Sequence, residues 1–457
     1  MRDTYILCVS VAACLSWPVV WSAAAYADLG DQLAKLLADD GAPDDRFGNS
    51  VAISGTTAVV GATRHDDNGD DSGSAYLFDT TTGRQLFKLL PDDGAADDRF
   101  GRSVAISGIT AIVGAWGDDD NGYGSGSAYL FDTTTGRQIV KLLADDGAAG
   151  DGFGFSIAIS GATAIVGAIG DDNGSFSGSA YLFDTTTGRQ IAKLLAKDGA
   201  AGDWFGISVA ISGATAIVGA YRHDDNGSAS GSAYLFDTTT GRQIAKLLPD
   251  DGAAGDFFGF FVAISGTTAI VGAYRDEDNG TWSGSAYLFD TTTGRQIAKL
   301  VPNDGAAFDL FGISVAISGA TAVVGAQWDG DNGPYSGSAY LFDISDPANP
   351  MQIAKFLADD GAADDRFGRS VAISGATAIV GAGGDDDNGT SSGAAYLFDA
   401  SFCPWDLDNN GSIGASDLLS LLVSWGPCKG CPADFDGNGN VGASDLLTLL
   451  ANWGPCP

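Results

Sequence analysis

Phe100-Gly101-Arg102-Ser103-Val104-Ala105-Ile106-Ser107 opens a unit that continues with Thr110-Ala111-Ile112-Val113-Gly114-Ala115, Ser127-Ala128-Tyr129-Leu130-Phe131 and Gln138-Ile139-Val140-Lys141-Leu142-Leu143. Each run is short, rich in Val, Ile, Tyr and Phe, and bounded by Gly, Asp, Asn or Thr. That pattern predicts four β-strands, with nothing between them long enough for a helix. The Phe-Gly pair recurs at Phe47, Phe100, Phe153, Phe205, Phe258, Phe311 and Phe367, spaced 52 to 56 residues apart, and every copy carries the same four runs. Four strands per unit of about 50 residues is the pattern of a propeller blade.

The ends of the array complement each other. Gln32-Leu33-Ala34-Lys35-Leu36-Leu37 matches the fourth strand of later copies, whereas the seventh copy stops after its third strand, at Phe398. Lending the first segment to the last blade closes a ring with no orphan edge. The expected fold is therefore mainly β: a seven-bladed β-propeller over residues 28–400, preceded by an export signal (1–27) and followed by a small α-helical module (401–457). Phe-Gly, Ser-Val-Ala-Ile-Ser-Gly, Ala-Ile-Val-Gly-Ala and Gly-Ser-Ala-Tyr-Leu-Phe resemble the FG-GAP repeat of integrin α-chain propellers and their bacterial secreted relatives. Integrin-type repeats often carry a calcium loop between the first two strands. Here that link is only Ser107–Thr110 or its equivalents, so the metal site is not carried over.

The chain has 457 residues and a formal net charge of -35, and Glu277 is its only glutamate. Aspartate, asparagine and glycine suit turns, which agrees with a turn-rich β protein. Such a field disfavours nucleic acid and anionic lipid as partners and favours Ca²⁺, which prefers carboxylate and carbonyl oxygens. The 45% apolar content and its regular patterning exclude a disordered chain despite 66 glycines. Arg2, the apolar stretch Tyr5 to Val20 and the Ala25-Tyr26-Ala27 site read as a signal peptide, implying a secreted or cell-surface protein. A lipoprotein-type reading of Val11-Ala12-Ala13-Cys14 fits less well, because the sequence stays apolar long after Cys14. No later run of about 18 apolar residues predicts a transmembrane segment in the mature chain. Four cysteines then remain, all after residue 400, and export points them toward disulfides.

Alternate links of a propeller emerge on opposite faces. One face carries tight turns, Ser-Gly-x-Thr and Asp-Thr-Thr-Thr-Gly-Arg (Asp79–Arg84 and four later copies). The other carries long, acidic, variable links such as Ala115–Ser127 and Asp145–Gly152, and is the expected ligand-binding face. Every blade has Asp-Asn-Gly there, at Asp67, Asp120, Asp172, Asp225, Asp278, Asp331 and Asp387. Turn chemistry explains these residues by itself, while adjacent carboxylates keep a calcium reading open. Aromatic residues at the variable positions, Trp116, Tyr123, Tyr221, Tyr274, Trp282 and Trp328 with Phe176 and Tyr335, are candidates for stacking on a glycan or anchoring a surface protein. Packing between blades is the competing reading. The only histidines, His65 and His223, stand in loops without an evident third partner, and nearly every Asp is repeated, whereas an active site needs a constellation that occurs once.

After Asp399 a shorter repeat begins. Asp406, Asp408, Asn410, Ser412 and Asp417 in one copy, and Asp434, Asp436, Asn438, Asn440 and Asp445 in the next, occupy loop positions 1, 3, 5, 7 and 12, with glycine at 6. This is the EF-hand calcium-loop pattern with Asp at the last position. Each loop leads into a short amphipathic helix (Ala415–Leu422, Ala443–Leu450). Loop plus helix given twice resembles a type I dockerin, which implies two Ca²⁺ ions and docking to a cohesin-like scaffold. The cysteines depart from that family: Cys403 and Cys431 precede the loops, and Cys428 and Cys456 follow the helices. Pairing 403–456 with 428–431, or 403–428 with 431–456, are both open, and Cys428–Cys431 also has the spacing of a redox or zinc pair. The expected function is a non-catalytic binding or adhesion protein, docked by its tail. The alternatives are a polysaccharide hydrolase or lyase and a structural surface protein.

Overall fold

The computed structural model describes residues 29–170, 175–403, 405–407, 412–428, 431–435 and 438–455. The signal-peptide reading of 1–27 falls outside them, and among the described residues no helix is long and apolar enough to cross a membrane. Seven four-stranded antiparallel sheets form a propeller, each built from strands consecutive in sequence except the last. In the second blade the strands are Phe100–Ser107, Thr110–Ala115, Ser127–Asp132 and Arg137–Leu142. The first strand therefore begins at the Phe-Gly pair, three residues earlier than its apolar run suggests. In the fourth and fifth blades it is shorter, Val209–Ser212 and Val262–Ser265.

The last blade is completed from the other end of the chain. Gln32–Leu36 pairs antiparallel with Ala394–Asp399, beside Thr377–Ala382 and Phe367–Ser374. Apolar faces of neighbouring sheets pack on one another. Leu77 and Leu89 of the first blade, for example, join Phe100, Val113, Tyr129 and Phe131 of the second. Fully burying one such side chain is worth roughly 1.5–3 kcal/mol, so each interface contributes substantially to the ring.

The Phe-Gly pair joins the blades. Phe100 packs edge-on against Tyr129 and Phe131, with ring centroids 5.6 and 5.8 Å apart. Its backbone N–H donates to Ser72 O of the preceding blade at 2.9 Å. Gly101 has φ +85°, and a Cβ there would lie 2.2 Å from Ser74 O. Gly114 meets the next blade in the same way: a Cβ would lie 2.0 Å from Gly154 O. After Phe100, paired with Ala115, the register shifts so that Ser103 faces Gly114. This bulge carries Arg102 into the wall of the central channel.

In the C-terminal module α1 (Ala415–Val423) and α2 (Ala443–Ala451) each follow a loop. Two short ladders, Ser412–Ile413 with Gly454–Pro455 and Gly426–Pro427 with Asn440–Val441, relate the copies by pseudo-symmetry. The core is small: Ile413, Leu421, Ala433, Val441 and Leu449. Cys428 is bonded to Cys431, which excludes the 403–428 with 431–456 pairing. Cys403 is also disulfide-bonded, and Cys456 lies outside the described residues.

Gly114→Ala should destabilise the ring by about 1–3 kcal/mol, because the clash is with backbone and no side chain can move aside. A lower urea midpoint with unchanged far-UV circular dichroism is the expected result. An unchanged midpoint would show that the blade interface has slack.

Candidate functional site

Two constellations stand on the face that carries the long links. The first repeats with the blades. Lys141, on the outer strand of the second blade, reaches back to Asp93 (2.8 Å), Asp118 (2.8 Å) and Asp120 (2.6 Å). The Tyr129 hydroxyl donates to Asp118 at 2.9 Å. Lys299 and Lys355 sit in equivalent cages, and Lys35 does so with Asp360, Asp385 and Asp387, tying the N-terminal strand into the last blade. In the first and fourth blades His65 and His223 replace the central aspartate. His65 Nε2 lies 3.5 Å from Lys88 Nζ, and Lys88 also binds Asp40 and Asp67.

Burial works against the charge of Lys141, but the carboxylates outweigh it and raise its pKa. Burial likewise opposes ionisation of Asp118, yet Lys141 and a backbone N–H hold its pKa below the usual value. Behind each cage stands a second aspartate without a lysine of its own. Asp98, Asp256, Asp309 and Asp365 are pushed up to about 6, chiefly by burial, although each accepts a backbone N–H.

The carboxylates of several cages lie close enough together to hold a metal ion, Asp93, Asp118 and Asp120 among them. A lysine ammonium already stands at their centre. The Asp of Asp-Asn-Gly thus does more than shape a turn: Asp120 N–H donates to Asp118 Oδ1 at 3.1 Å, while its own carboxylate binds Lys141.

The second constellation occurs once. First strands of all seven blades line a central channel. At its mouth on the long-link face is a cavity of about 250 Å³. Asn49, Arg102 and Arg369 form one side of it, and Phe260, Tyr274 and Trp328 are on the other. Arg275, Trp282 and Gln327 also line it. Apart from Trp282, which stands late in the link between second and third strands, these side chains occupy two kinds of position: the residue two after Phe of the Phe-Gly pair, and the residues just after the second strand. The residue just before that Phe joins them at the rim. It takes the left-handed conformation in every blade, as Gly152 (φ 62°) in one but as Arg46, Arg99 and Arg366 (φ 56–57°) in others. A side chain there costs about 1–2 kcal/mol against glycine.

Seven segments, residues 31–78, 84–131, 137–183, 189–236, 242–289, 295–342 and 350–398, match the family model described as FG-GAP repeat. The chain belongs to the FG-GAP repeat family. No curated protein matches it. The matched segments run across the blade boundaries, so each FG-GAP unit contributes its outer strand to one blade and three strands to the next.

In this FG-GAP propeller the sequence-chosen aromatics separate. Tyr274, Trp282 and Trp328 line the mouth cavity. Tyr123 stands apart at 84% exposed. Tyr221 is not a surface ring: it is buried edge-on against Trp204, Phe257 and Phe260, because the aromatic residues of neighbouring blades converge there. Trp116 is part-buried against Phe155, with the Arg99 guanidinium over its ring. The arginines of the mouth were not chosen from sequence. Their signal was variability at the positions flanking an otherwise invariant pair.

In the C-terminal module Asp417 and Asp445 are buried and close their loops through two backbone N–H groups each, from Leu407 and Gly414, and from Phe435 and Gly442. Asp406 is buried at the head of the first loop. Asp434 accepts from Gly439 N–H, while its Oδ1 is buried with no hydrogen-bond partner among the described residues. Ser412 and Asn440 lie in the short ladders. Asp408, Asn410 and Asp436 lie outside the described residues, and Asn438 stands exposed in the second loop.

The cages and the aspartates behind them fix a pH profile. Asp98, Asp256, Asp309 and Asp365 have folded pKa values above the unfolded 3.8, so they favour the folded state below 3.8 and this contribution fades as pH rises through about 6. The cage carboxylates, whose pKa values are lowered, contribute above 3.8 and lose that contribution as pH falls below it. The melting temperature should therefore be higher at pH 5 than at pH 7.5, with a smaller difference in Asp98→Asn. A melting temperature that rises from pH 5 to 7.5 would refute this. Lys141→Met leaves three carboxylates facing one another and should cost about 3 kcal/mol. Added Ca²⁺ should restore part of that loss in the variant, read as a Ca²⁺-dependent melting temperature that the unaltered cage does not show.

Proposed function

We propose that this chain is an exported, non-catalytic binding protein: the long-link face of the propeller holds a ligand, and the C-terminal module docks the whole to a scaffold in a Ca²⁺-dependent manner. The observation that carries the first half is the channel mouth. In a molecule whose blades otherwise repeat almost residue for residue, that cavity gathers side chains that differ from blade to blade. A recognition site needs such a once-only set, and a purely structural ring does not.

Two observations support the second half. The buried, unpartnered Oδ1 of Asp434 stands at loop position 1, where a carboxylate oxygen suits Ca²⁺. Asp406, Asp408, Asn410, Ser412 and Asp417 would hold one ion, and Asp434, Asp436, Asn438, Asn440 and Asp445 the other. The helices also leave matching apolar residues outside. Leu419, Leu422 and Trp425 of the first copy and Leu447, Leu450 and Trp453 of the second are exposed at equivalent positions. A repeated apolar face on so small a module is a surface for a partner such as a cohesin-like scaffold.

The full chain, immobilised and washed with extracts of the source cell envelope and culture fluid, should retain a partner with Ca²⁺ and release it with chelator. Asp434→Ala should abolish retention. Leu419→Asp with Leu447→Asp should abolish it while leaving Ca²⁺-dependent changes in near-UV circular dichroism intact. Absence of any Ca²⁺ effect on either readout would refute the docking reading.

A further inference from the structure

The charge of the channel mouth runs opposite to that of the molecule. Apart from the arginine repeated in the Asp-Thr-Thr-Thr-Gly-Arg turns, every arginine among the described residues flanks a Phe-Gly pair or follows a second strand. These are the positions that build the mouth and its rim. Arg102 and Arg369 enter from the first strands of the second and seventh blades, and Arg275 from the fifth blade.

These half-buried groups lack the counter-charges a guanidinium withdrawn from water normally has. Arg369 donates to Asn49 Oδ1 (2.6 Å) and Gln327 Oε1 (3.1 Å), both neutral. Arg102 lies over the Phe155 ring, 4.5 Å from its centroid. Arg275 Nε is buried without a hydrogen-bond partner, its guanidinium 4.5 Å from the centroids of Phe257 and Trp282. Among the described residues no ion pair reaches any of the three, although the chain is rich in aspartate. Burial lowers the pKa of Arg102 to about 10, and burial with the like charges of Arg102, Arg366 and Arg46 does the same to Arg369. Like charges gathered without a partner are costly in a folded protein unless something from outside neutralises them.

We propose that the channel mouth binds an acidic sugar unit of a polysaccharide, its carboxylate or sulfate held by Arg102 and Arg369. Guanidinium forks match those anions in geometry. The carboxamides of Asn49 and Gln327 beside them suit hydroxyl groups. Phe260, Tyr274 and Trp328 supply flat apolar faces for the C–H side of a ring. A cavity of about 250 Å³ admits a ring-sized unit, while the open mouth lets a chain continue outward. The negative charge of the whole does not oppose this. At physiological ionic strength, charge beyond about 8 Å is largely screened, so the nearby guanidinium groups decide what binds.

This inference rests on the reading of the long-link face as a binding platform, and the test separates the two. The full chain is titrated calorimetrically with trigalacturonate, its methyl ester, sulfated cellotriose, cellotriose and poly-L-glutamate. Trigalacturonate or sulfated cellotriose should bind, the one preferred naming the anion, whereas methyl ester and cellotriose should not bind measurably. Arg102→Gln and Arg369→Gln should each weaken binding by about tenfold or more. Without ligand, Arg102→Gln should melt no lower than the unaltered protein, because a charge lacking a partner has been removed; a purely structural arginine would give a lower melting temperature. Equal binding of neutral and acidic sugars, unaffected by either substitution, would overturn the inference and leave the platform standing. Tighter binding of poly-L-glutamate would overturn the saccharide class. No binding of any probe would overturn the inference, and failure to retain any glycan or protein on a wider panel would remove the platform as well.

Discussion

Backbone touching backbone between blades is the contact on which the molecule depends. Gly114 lies against the carbonyl of Gly154, and the contact recurs around the ring to Gly381 against Gly48. No side chain fits there, so the distance between adjacent sheets is set by main-chain geometry and is the same in every blade. Identical spacing repeated seven times closes a circle. The Phe of each Phe-Gly pair then fills the wedge between its sheet and the preceding one, beside a tyrosine and a phenylalanine that are equally constant.

That constraint divides the sequence into residues that cannot vary and residues that can. Lys141, Asp93 and Asp120 belong to the first group, since each cage pins an outer strand to the links on either side of its blade's first two strands and neutralises charge that would otherwise repel; the central aspartate alone gives way, to His65 and His223. The bulge after Phe100 belongs to the second group in effect. It turns one residue per blade toward the channel without disturbing the glycine contact beside it. Seven blades therefore offer seven such positions, and this chain fills them with Asn, Arg, Phe, Ile, Phe, Ile and Arg. Arginine gathers on the blades around the ring closure and aromatic residues on those opposite, which is how a monotonous scaffold acquires a sided pocket.

The architecture was legible in the sequence because its cause is periodic. Strand number, blade number and the loan of Gln32–Leu36 to the last blade all follow from counting runs. Register at the Phe-Gly pair was less legible: a bulge has no fixed signature when the residue it turns out is polar in one blade and charged, aromatic or aliphatic in others. The same holds for the site. Tyr274, Trp282 and Trp328 stand out by type, yet nothing in the local sequence distinguishes them from Tyr221, which neighbouring blades enclose. Arg102 and Arg369, 267 residues apart in the chain, meet only because the ring brings the second and seventh blades to one channel. The cages are illegible for a related reason, since lysine on an outer strand reads as a solvent-facing residue until the links fold over it.

The shared last blade makes the ring a fastening that shuts at one point. Lys35 and Asp385, 350 residues apart, meet there. Loop closure over such a length adds little equilibrium penalty beyond that of a shorter loop, because the entropy grows only with the logarithm of length. Its effect is on order in time. Six blades can form as the chain emerges from its N-terminal end, each from local hairpins, but the seventh waits for synthesis to reach Asp399. Until then Gln32–Leu36 is a strand without its partner, Ala394–Asp399. The molecule is thus open to joining with another copy between emergence of its first strand and arrival of its last blade.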